Sequence, residues 1–336
     1  MSPNHRTKKY LKACLTALAC AAVSLPAAAG AADAMSKSAQ KETTINVNQN
    51  VIVVSGRMSV GALNGESGEY VVIPQIDHRL SQLDWKLDNV YMLGLGGSIA
   101  PLSWLKLNAD IWFKLNDGTG SMDDYDWFIE DYTYTHWSHH EDVDLTKGLM
   151  FDINAEVAFY QWEKSKFFGI LGFKYDNWEW EARGGDYYYS TYYLYDTVGS
   201  FPDGQLGITY EQKFYTPYVG IGFTSTLDVT PITFSGRLIG STLAFGESKD
   251  QHHLRNLEGE HDYDGGSMYA LDLGGAYNFT KNFSMMLSYH YQKYNYFSDD
   301  SHRRDLDTGE LTISGDVDDT MTHYSNMVSL SAIVNF

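Results

Sequence analysis

Cysteine is almost absent from this 336-residue chain, and its two copies, Cys14 and Cys20, both lie near the N-terminus. Residues 1–34 have the pattern of a secretory signal peptide: basic side chains, an apolar stretch over 13–25, and small residues up to Ala34. Cleavage after Ala34 would leave no cysteine, which excludes disulfides, thiolate nucleophiles and cysteine metal ligands. A lipoprotein anchored at Cys20 is disfavoured, because the three residues before it match the usual triplet poorly.

Basic residues are scarce relative to acidic ones, with 24 Lys and Arg against 43 Asp and Glu and a net charge of −19. Removing residues 1–34 takes away four basic side chains and one acidic side chain, which brings the charge to −22. A surface this acidic does not suit nucleic acid and favours cationic partners or substrates. Proline is rare, and no Pro-rich or Ser-rich linker divides the chain. We therefore predict a single domain over residues 35–336.

Long apolar runs are missing after the signal peptide, and this excludes a transmembrane helix, which needs about 18 or more apolar residues in succession. Apolar and polar residues instead alternate with a period of two in pieces about ten residues long, which is typical of β-strands with two different faces. The clearest examples are 104–114, 151–159, 269–279 and 283–292.

These alternating strands fit either a soluble sandwich, with the apolar faces inside, or a membrane barrel, with the apolar faces in lipid. The export signal, short turns such as 278–282 and aromatic residues at strand ends favour the barrel. The last eleven residues, NMVSLSAIVNF, also alternate and end in Phe336, which resembles the address read by the outer-membrane barrel assembly machinery. Four long connections are expected to be extracellular loops, at 115–148, 184–208, 247–266 and 294–320.

One of these connections contains SMDDYDWF, in which Asp124 and Asp126 are two residues apart. In an extended strand this spacing places both carboxylates on one face, where two close acids resist simultaneous ionisation. Asp250 and His252, in ESKDQHH, have the same spacing. A carboxylate beside an imidazole raises its basicity and orients it, so His252 is a candidate general base. Across a groove, the two pairs could activate one water for attack on a carbonyl, although each motif alone also fits a solvated loop.

The segments around these residues resemble those of the omptins, outer-membrane endopeptidases of Gram-negative bacteria. The resemblance rests on segments that occur in the same order and at similar spacing as in the family: SQLDWK (81–86), MDDYDW (122–127), EARGGDYYYS (181–190), VGSFPDG (198–204), KFYTPYVG (213–220) and SKDQHH (248–253). It extends over essentially the whole chain after the signal peptide.

The resemblance implies an all-β fold, a ten-stranded antiparallel transmembrane β-barrel in the outer membrane with its active site on the extracellular side. It also implies aspartic-type endopeptidase chemistry without a covalent intermediate. Asp124 and Asp126 match the family's aspartate couple, and Asp250 and His252 match its aspartate–histidine dyad. In these roles His252 deprotonates the water, Asp250 orients His252, and the couple positions the water and stabilises the tetrahedral species.

The resemblance also extends to substrate recognition. Glu69 matches a family acid that receives a basic side chain before the scissile bond, while the second acid of that pair falls on Ser248. One carboxylate can still form a charge-assisted pair, so cleavage of cationic peptides or proteins next to basic residues is expected.

Lipopolysaccharide is the partner that the resemblance implies, and it takes the place of a conventional cofactor. Lys213 retains a positive charge suited to a lipid A phosphate, whereas Asn177 replaces the family arginine of the other binding motif.

Two other interpretations remain open. The histidines and Glu141 of HWSHHED (136–142) are metal-ligand types, but they lie in a loop without HExxH spacing, so no metal is expected. A barrel without enzymatic activity, acting as a narrow pore or an adhesin with acidic loops, is the alternative to a protease.

Overall fold

The computed structural model of this chain describes residues 52–129 and 133–336. The predicted signal peptide, with both cysteines, lies outside this range, and the N-terminal boundary of the predicted domain stays a prediction. Within the described residues, the only helix is a short 3-10 turn at Pro74–Ile76. None of them belongs to a helix long and apolar enough to cross a bilayer.

Sixteen antiparallel β-strands form one sheet in the described part of the chain. The strands are β1 (Val53–Ile73), β2 (His78–Leu102), β3 (Leu105–Lys114), β4 (Met122–Asp126), β5 (His136–His140), β6 (Asp142–Trp162), β7 (Ser165–Arg183), β8 (Asp186–Tyr189), β9 (Thr197–Ser200), β10 (Leu206–Thr226), β11 (Ile232–Ser241), β12 (Phe245–His252), β13 (Leu257–Tyr263), β14 (Ser267–Asn278), β15 (Phe283–Asp305) and β16 (Leu311–Asn335).

Ten of these strands close a ring. In order, β1, β2, β3, β6, β7, β10, β11, β14, β15 and β16 pair with their neighbours, and β16 returns to β1. Closure satisfies the backbone hydrogen bonds that an open sheet leaves free at its two edges. The prediction of an all-β antiparallel barrel is therefore confirmed.

The four long connections contain strands as well as loops, because many of their residues extend the sheet beyond the ring, and their extracellular location stays a prediction. At one end of the ring, β4 pairs with the first part of β2, followed by β5, β8 and β9. On another side, β12 and β13 fill the space between β10 and β15. We call this end, built by β4, β5, β8, β9, β12 and β13 together with the ring strands they pair with, the mouth of the barrel.

The alternating segments place their apolar residues on the outside of the ring. On β14, Tyr269, Leu271 and Leu273 are exposed, whereas the intervening Met268 and Ala270 are buried. The same outward exposure applies to Leu107, Phe113, Ile153, Phe159, Leu287, Tyr289, Val328, Leu330, Val334 and Phe336. A soluble sandwich would bury these side chains, so the outward apolar face decides between the two predicted architectures.

The inside of the ring is polar and internally paired. The hydroxyl of Tyr218 donates to Asp152 at 2.8 Å, and Asp272 pairs with Arg237 at 3.0 Å. Deeper towards the mouth, Asp176 is fully buried and accepts hydrogen bonds from Tyr294 at 2.5 Å and Gln292 at 3.2 Å. These contacts supply the partners that buried polar groups need away from bulk water.

We expect Tyr294→Phe to lower the free energy of unfolding by about 1–3 kcal/mol, because Asp176 loses a buried hydrogen-bond donor. The substitution keeps the ring that stacks on Phe214 with 4.1 Å between centroids. Urea unfolding in detergent micelles, followed by tryptophan fluorescence, measures the change. Tyr289→Phe on the outward face of the same strand is the control, and equal midpoints for the two variants would contradict the expectation.

Candidate functional site

The acid-rich stretch of the mouth is a strand, and its aspartates divide between two faces. Asp124 and Asp126 lie on β4 at alternate positions, as their spacing predicts, and Asp124 is nearly buried. Asp123 lies on the opposite face, where it accepts from Trp137 at 3.2 Å and pairs with His139 at 2.7 Å. Only Asp124 and Asp126 of this stretch are therefore available inside the mouth.

Asp250 and His252 lie on β12, and their side chains meet as predicted. The distance from His252 Nε2 to Asp250 Oδ2 is 3.1 Å, and Asp250 is 1% exposed. The other ring nitrogen, Nδ1, lies 2.8 Å from the guanidinium of Arg255. Because a guanidinium only donates, Nδ1 must accept, and the proton of the neutral ring lies on Nε2, towards Asp250. The lone pair of His252 is thus on Nδ1.

The two pairs share one electrostatic environment. Burial, and then the charge of Asp126, raise the pKa of Asp124 to about 8, and the charge of Asp250 acts in the same direction. Burial also raises the pKa of Asp126, against the effects of a hydrogen bond from Ser81 and the charges of Arg255 and His252. Two buried acids this close resist ionising together. Near neutral pH, Asp124 is consequently a proton-bearing acid.

Asp250 behaves in the opposite way. Burial alone would raise its pKa, but the close contact with His252 and the charge of Arg303 outweigh burial and hold the pKa well below its usual value. Asp250 therefore stays ionised and can hold the imidazole in place, whereas Asp124 keeps its proton. Such divergence between neighbouring carboxyl groups is typical of sites that divide acid and base roles.

Glu69 lies on β1, is 3% exposed and belongs to the same cluster of charges. Burial, then the charge of Asp250, raise the pKa of Glu69 well above its usual value, while Arg303 acts in the opposite direction. Among the described residues, Glu69 Oε2 has no hydrogen-bond partner. Ser248, at the position of the second family acid, instead contacts the hydroxyl of Tyr263 at 3.0 Å.

Three aromatic rings pack together beside this cluster. Trp85 stacks on Tyr210 with 5.6 Å between centroids, and Trp180 lies 6.1 Å from both of these rings. All three side chains are fully buried. Tyr210 is the cross-strand neighbour of Asp250, so these rings border the acidic cluster and lower its local dielectric.

Sequence reasoning did not identify Arg255 and Arg303 as members of the site. Arg255 follows β12 in a turn, and its charge acts on both Asp124 and Asp126. Arg303 lies on β15, about 50 residues after Asp250 in the sequence. Its guanidinium pairs with Asp319 at 2.5 Å and lies 3.9 Å from Asp250. Neither has a recognisable motif, since a basic residue in a polar stretch is usually solvated.

The histidines of the 136–142 stretch do not converge on one point. His139 pairs with Asp123, His136 contacts Thr135 at 3.0 Å, and His140 contacts Ser138 at 3.2 Å. Within the described ranges, the three ligand-type side chains that do approach one another within 4.8 Å are His261, Asp299 and His302.

Lys213 lies outside the ring on β10, where alternate residues face outward. Its ammonium contacts Glu211 at 2.6 Å and Glu247 at 3.9 Å, and Asn177 is its cross-strand neighbour on β7. The predicted lipopolysaccharide residue thus has the outward orientation that contact with lipid needs, but two carboxylates already share its charge.

The barrel is closed and antiparallel, with an apolar outside, a polar interior and a buried acid–imidazole cluster at one end. These features are typical of outer-membrane β-barrels. Residues 50–332 match the family model described as the Omptin family. The chain belongs to this family.

Its relatives include a plasminogen activator of Yersinia pestis, 30% identical over 260 residues that cover 77% of this chain and 82% of the relative. Another is the outer membrane protease OmpP of Escherichia coli, 31% identical over 206 residues that cover 60% of this chain and 65% of the relative. The crystal structure of the outer membrane protease OmpT from Escherichia coli superposes with a TM-score of 0.78 and 21% identity, covering 90% of this chain and all of that one. This last similarity supports the same barrel fold.

The raised pKa of Asp124 predicts a pH-dependent stability. Between about pH 4 and pH 8 the folded protein holds a proton on Asp124 that the unfolded chain releases, so this residue reduces stability as pH rises through that window. We expect Asp124→Asn to raise the thermal midpoint relative to wild type at pH 8, with the difference shrinking towards pH 4. The exposed Asp316→Asn is the control, and parallel pH profiles for wild type and Asp124→Asn would refute the raised pKa.

Proposed function

We propose that this protein is an outer-membrane endopeptidase that hydrolyses peptide bonds with a water activated by His252. The observation that carries the proposal is the 3.1 Å approach of His252 Nε2 to Asp250 Oδ2; together with Arg255 beside Nδ1, it favours the tautomer with its proton on Nε2 and Nδ1 as the basic atom. The names of the relatives as outer membrane proteases support the same reaction class.

The proposed reaction is a direct hydrolysis. Water attacks the carbonyl carbon while its proton passes to His252 Nδ1, and Asp250 stabilises the imidazolium that forms. Asp124, which carries a proton near neutral pH, and Asp126 position the water, and the Asp124 proton donates a hydrogen bond to the developing oxyanion. The imidazolium then transfers its proton to the amide nitrogen, the C–N bond breaks, and a carboxylic acid and an amine leave.

The preferred substrates in this proposal are cationic peptides or proteins cleaved next to basic residues. Glu69 has a buried carboxylate oxygen without a partner among the described residues, and a substrate lysine or arginine would supply one. The excess of acidic residues over the whole chain favours the approach of such substrates.

The proposal places the mouth on the extracellular side and includes a contact between Lys213 and lipopolysaccharide. In outer-membrane barrels the longer connections are extracellular, and the mouth is built from the longer connections of this barrel. Lys213 faces outward, as contact with a lipid A phosphate requires. A phosphate at this position would compete with Glu211 and Glu247 for the same ammonium.

The proposal is tested by refolding residues 35–336 with lipopolysaccharide and measuring cleavage of an internally quenched dibasic peptide. We expect His252→Ala and Asp250→Ala to lower kcat about 100-fold or more, because each removes part of the general base. His253→Ala is the matched control and should retain activity, since His253 contacts Thr209 rather than the dyad. Full activity in a folded His252→Ala variant would reject the mechanism and favour a barrel without enzymatic activity.

A second prediction concerns Arg255, which occupies the basic nitrogen of His252. Water can reach Nδ1 only after the exposed Arg255 moves away, so Arg255→Ala is expected to raise kcat/KM about two- to tenfold. Lys249→Ala, which removes a positive charge on the same strand without touching the dyad, is the control. A loss of activity in Arg255→Ala alone would instead assign Arg255 a role in holding substrate.

A further inference from the structure

Arg303 supplies a positive charge inside the acidic mouth. One of its guanidinium nitrogens, Nη2, lies 2.5 Å from Asp319 Oδ1, and the other, Nη1, lies 3.9 Å from Asp250 Oδ1. Nη1 also donates to His261 Nε2 at 2.8 Å. Asp250, Asp319 and His261 are all at least 98% buried. The guanidinium therefore belongs to the site rather than to the solvated surface.

The backbone register leads to this arrangement. Asp250 on β12 is opposite Gly259 on β13, and Gly259 is opposite Arg303 on β15. A Cβ at position 259 would overlap both the Asp250 carboxylate and the Arg303 guanidinium. Glycine at this position allows the two charged side chains to approach each other across the intervening strand.

The same guanidinium acts on Glu69, the residue proposed to receive a basic substrate side chain. The charges of Asp250, Arg303 and Asp319 all reach the Glu69 carboxyl, and Arg303 alone among these favours its ionisation. Three buried carboxyl groups within one cluster need a counter-charge, because uncompensated buried charges are strongly unfavourable. Arg303 provides this counter-charge from within the chain.

A cationic side chain from a substrate would enter a cluster in which one cation is already present. Asp319 is paired with Arg303 and Asp250 with His252, whereas Glu69 has no ion-pair partner among the described residues. Buried oxygens of Asp250 and Asp319, like Glu69 Oε2, still lack a hydrogen-bond partner within that part of the chain. The incoming charge would also meet repulsion from the guanidinium. Ser248, hydrogen-bonded to Tyr263, adds no charge to offset this repulsion.

We propose that Arg303 is a specificity-determining residue that weakens the selectivity of the site for a basic side chain before the scissile bond. This inference rests on the proposed peptidase function. Two features of this site then act in the same direction. Ser248 stands where the family has a second acid, and Arg303 adds a positive charge, so both reduce the attraction for a basic side chain. The enzyme then still prefers basic side chains at this position, but only weakly over neutral ones.

The test compares internally quenched peptides that differ only in the residue before the scissile bond, with Arg, Lys, Gln or Met at that position. We expect wild type to prefer Arg or Lys over Gln or Met by less than about tenfold in kcat/KM. Arg303→Met removes the charge and is expected to raise this ratio at least about tenfold. An unchanged or lower ratio in a folded Arg303→Met variant, or a wild-type ratio above about 100, would overturn the inference.

Two further variants separate specificity from folding. Arg304→Met removes the neighbouring, exposed arginine and should leave the ratio at the wild-type value. Arg303→Met combined with Asp319→Asn removes one charge of each sign, so Asp319 is not left as a buried charge without its partner. This double variant should also raise the ratio, but by less than Arg303→Met, because a negative charge is lost together with the cation. Failure of the proposed function gives a different result, because wild type would then cleave none of the peptides.

Glu69→Gln identifies the acceptor. In the Arg303→Met background, this change should return the ratio to about that of wild type, because the carboxylate proposed to receive the basic side chain is lost. A ratio that stays high in the double variant would show that another group receives the substrate cation, and it would overturn the pairing of Glu69 with Arg303.

Discussion

The strict alternation of side chains in a closed antiparallel ring is the constraint on which this molecule depends. Every strand residue faces either inward or outward, and ring closure fixes the register of each strand against two neighbours. A shift of one residue would exchange the two faces, placing apolar residues such as Leu271 inside and Asp272 outside. The same rule brings Asp124 together with Asp126 and Asp250 together with His252, so the chemistry of the mouth is a consequence of the sheet.

Much of this arrangement could be predicted from the sequence because a period of two is a local property. The outward face of β14 follows from the alternation of Tyr269, Leu271 and Leu273 with smaller or polar residues. The shared face of Asp250 and His252 follows from their spacing alone. The mouth strands were harder to predict, since β4 and β5 carry polar residues on both faces and lack the contrast that reveals a membrane-spanning strand.

The position of Arg303 could not be predicted, because it depends on irregularities that spacing does not encode. The pairing of β15 with β16 changes register between Tyr294 and Phe297 and again between Asp300 and Ser301. Each irregularity changes which residues face inward beyond it. The direction of the Arg303 side chain therefore cannot be found by counting alternate residues from the start of β15. Arg255 was missed for a related reason, since a turn residue has no periodic pattern to fix its direction.

The absence of a Cβ atom at Gly259 affects two charged residues of the mouth, Asp250 and Arg303. Since a Cβ there would collide with both Asp250 and Arg303, the sizes of residues 259 and 303 are not independent variables. A side chain at 259 has to be accommodated by both neighbours, and a shorter residue at 303 relieves one of the two overlaps, so the effects of substitutions at 259 and 303 depend on each other. Libraries that diversify this protein one position at a time would discard such combinations, whereas paired randomisation of the two codons would recover them.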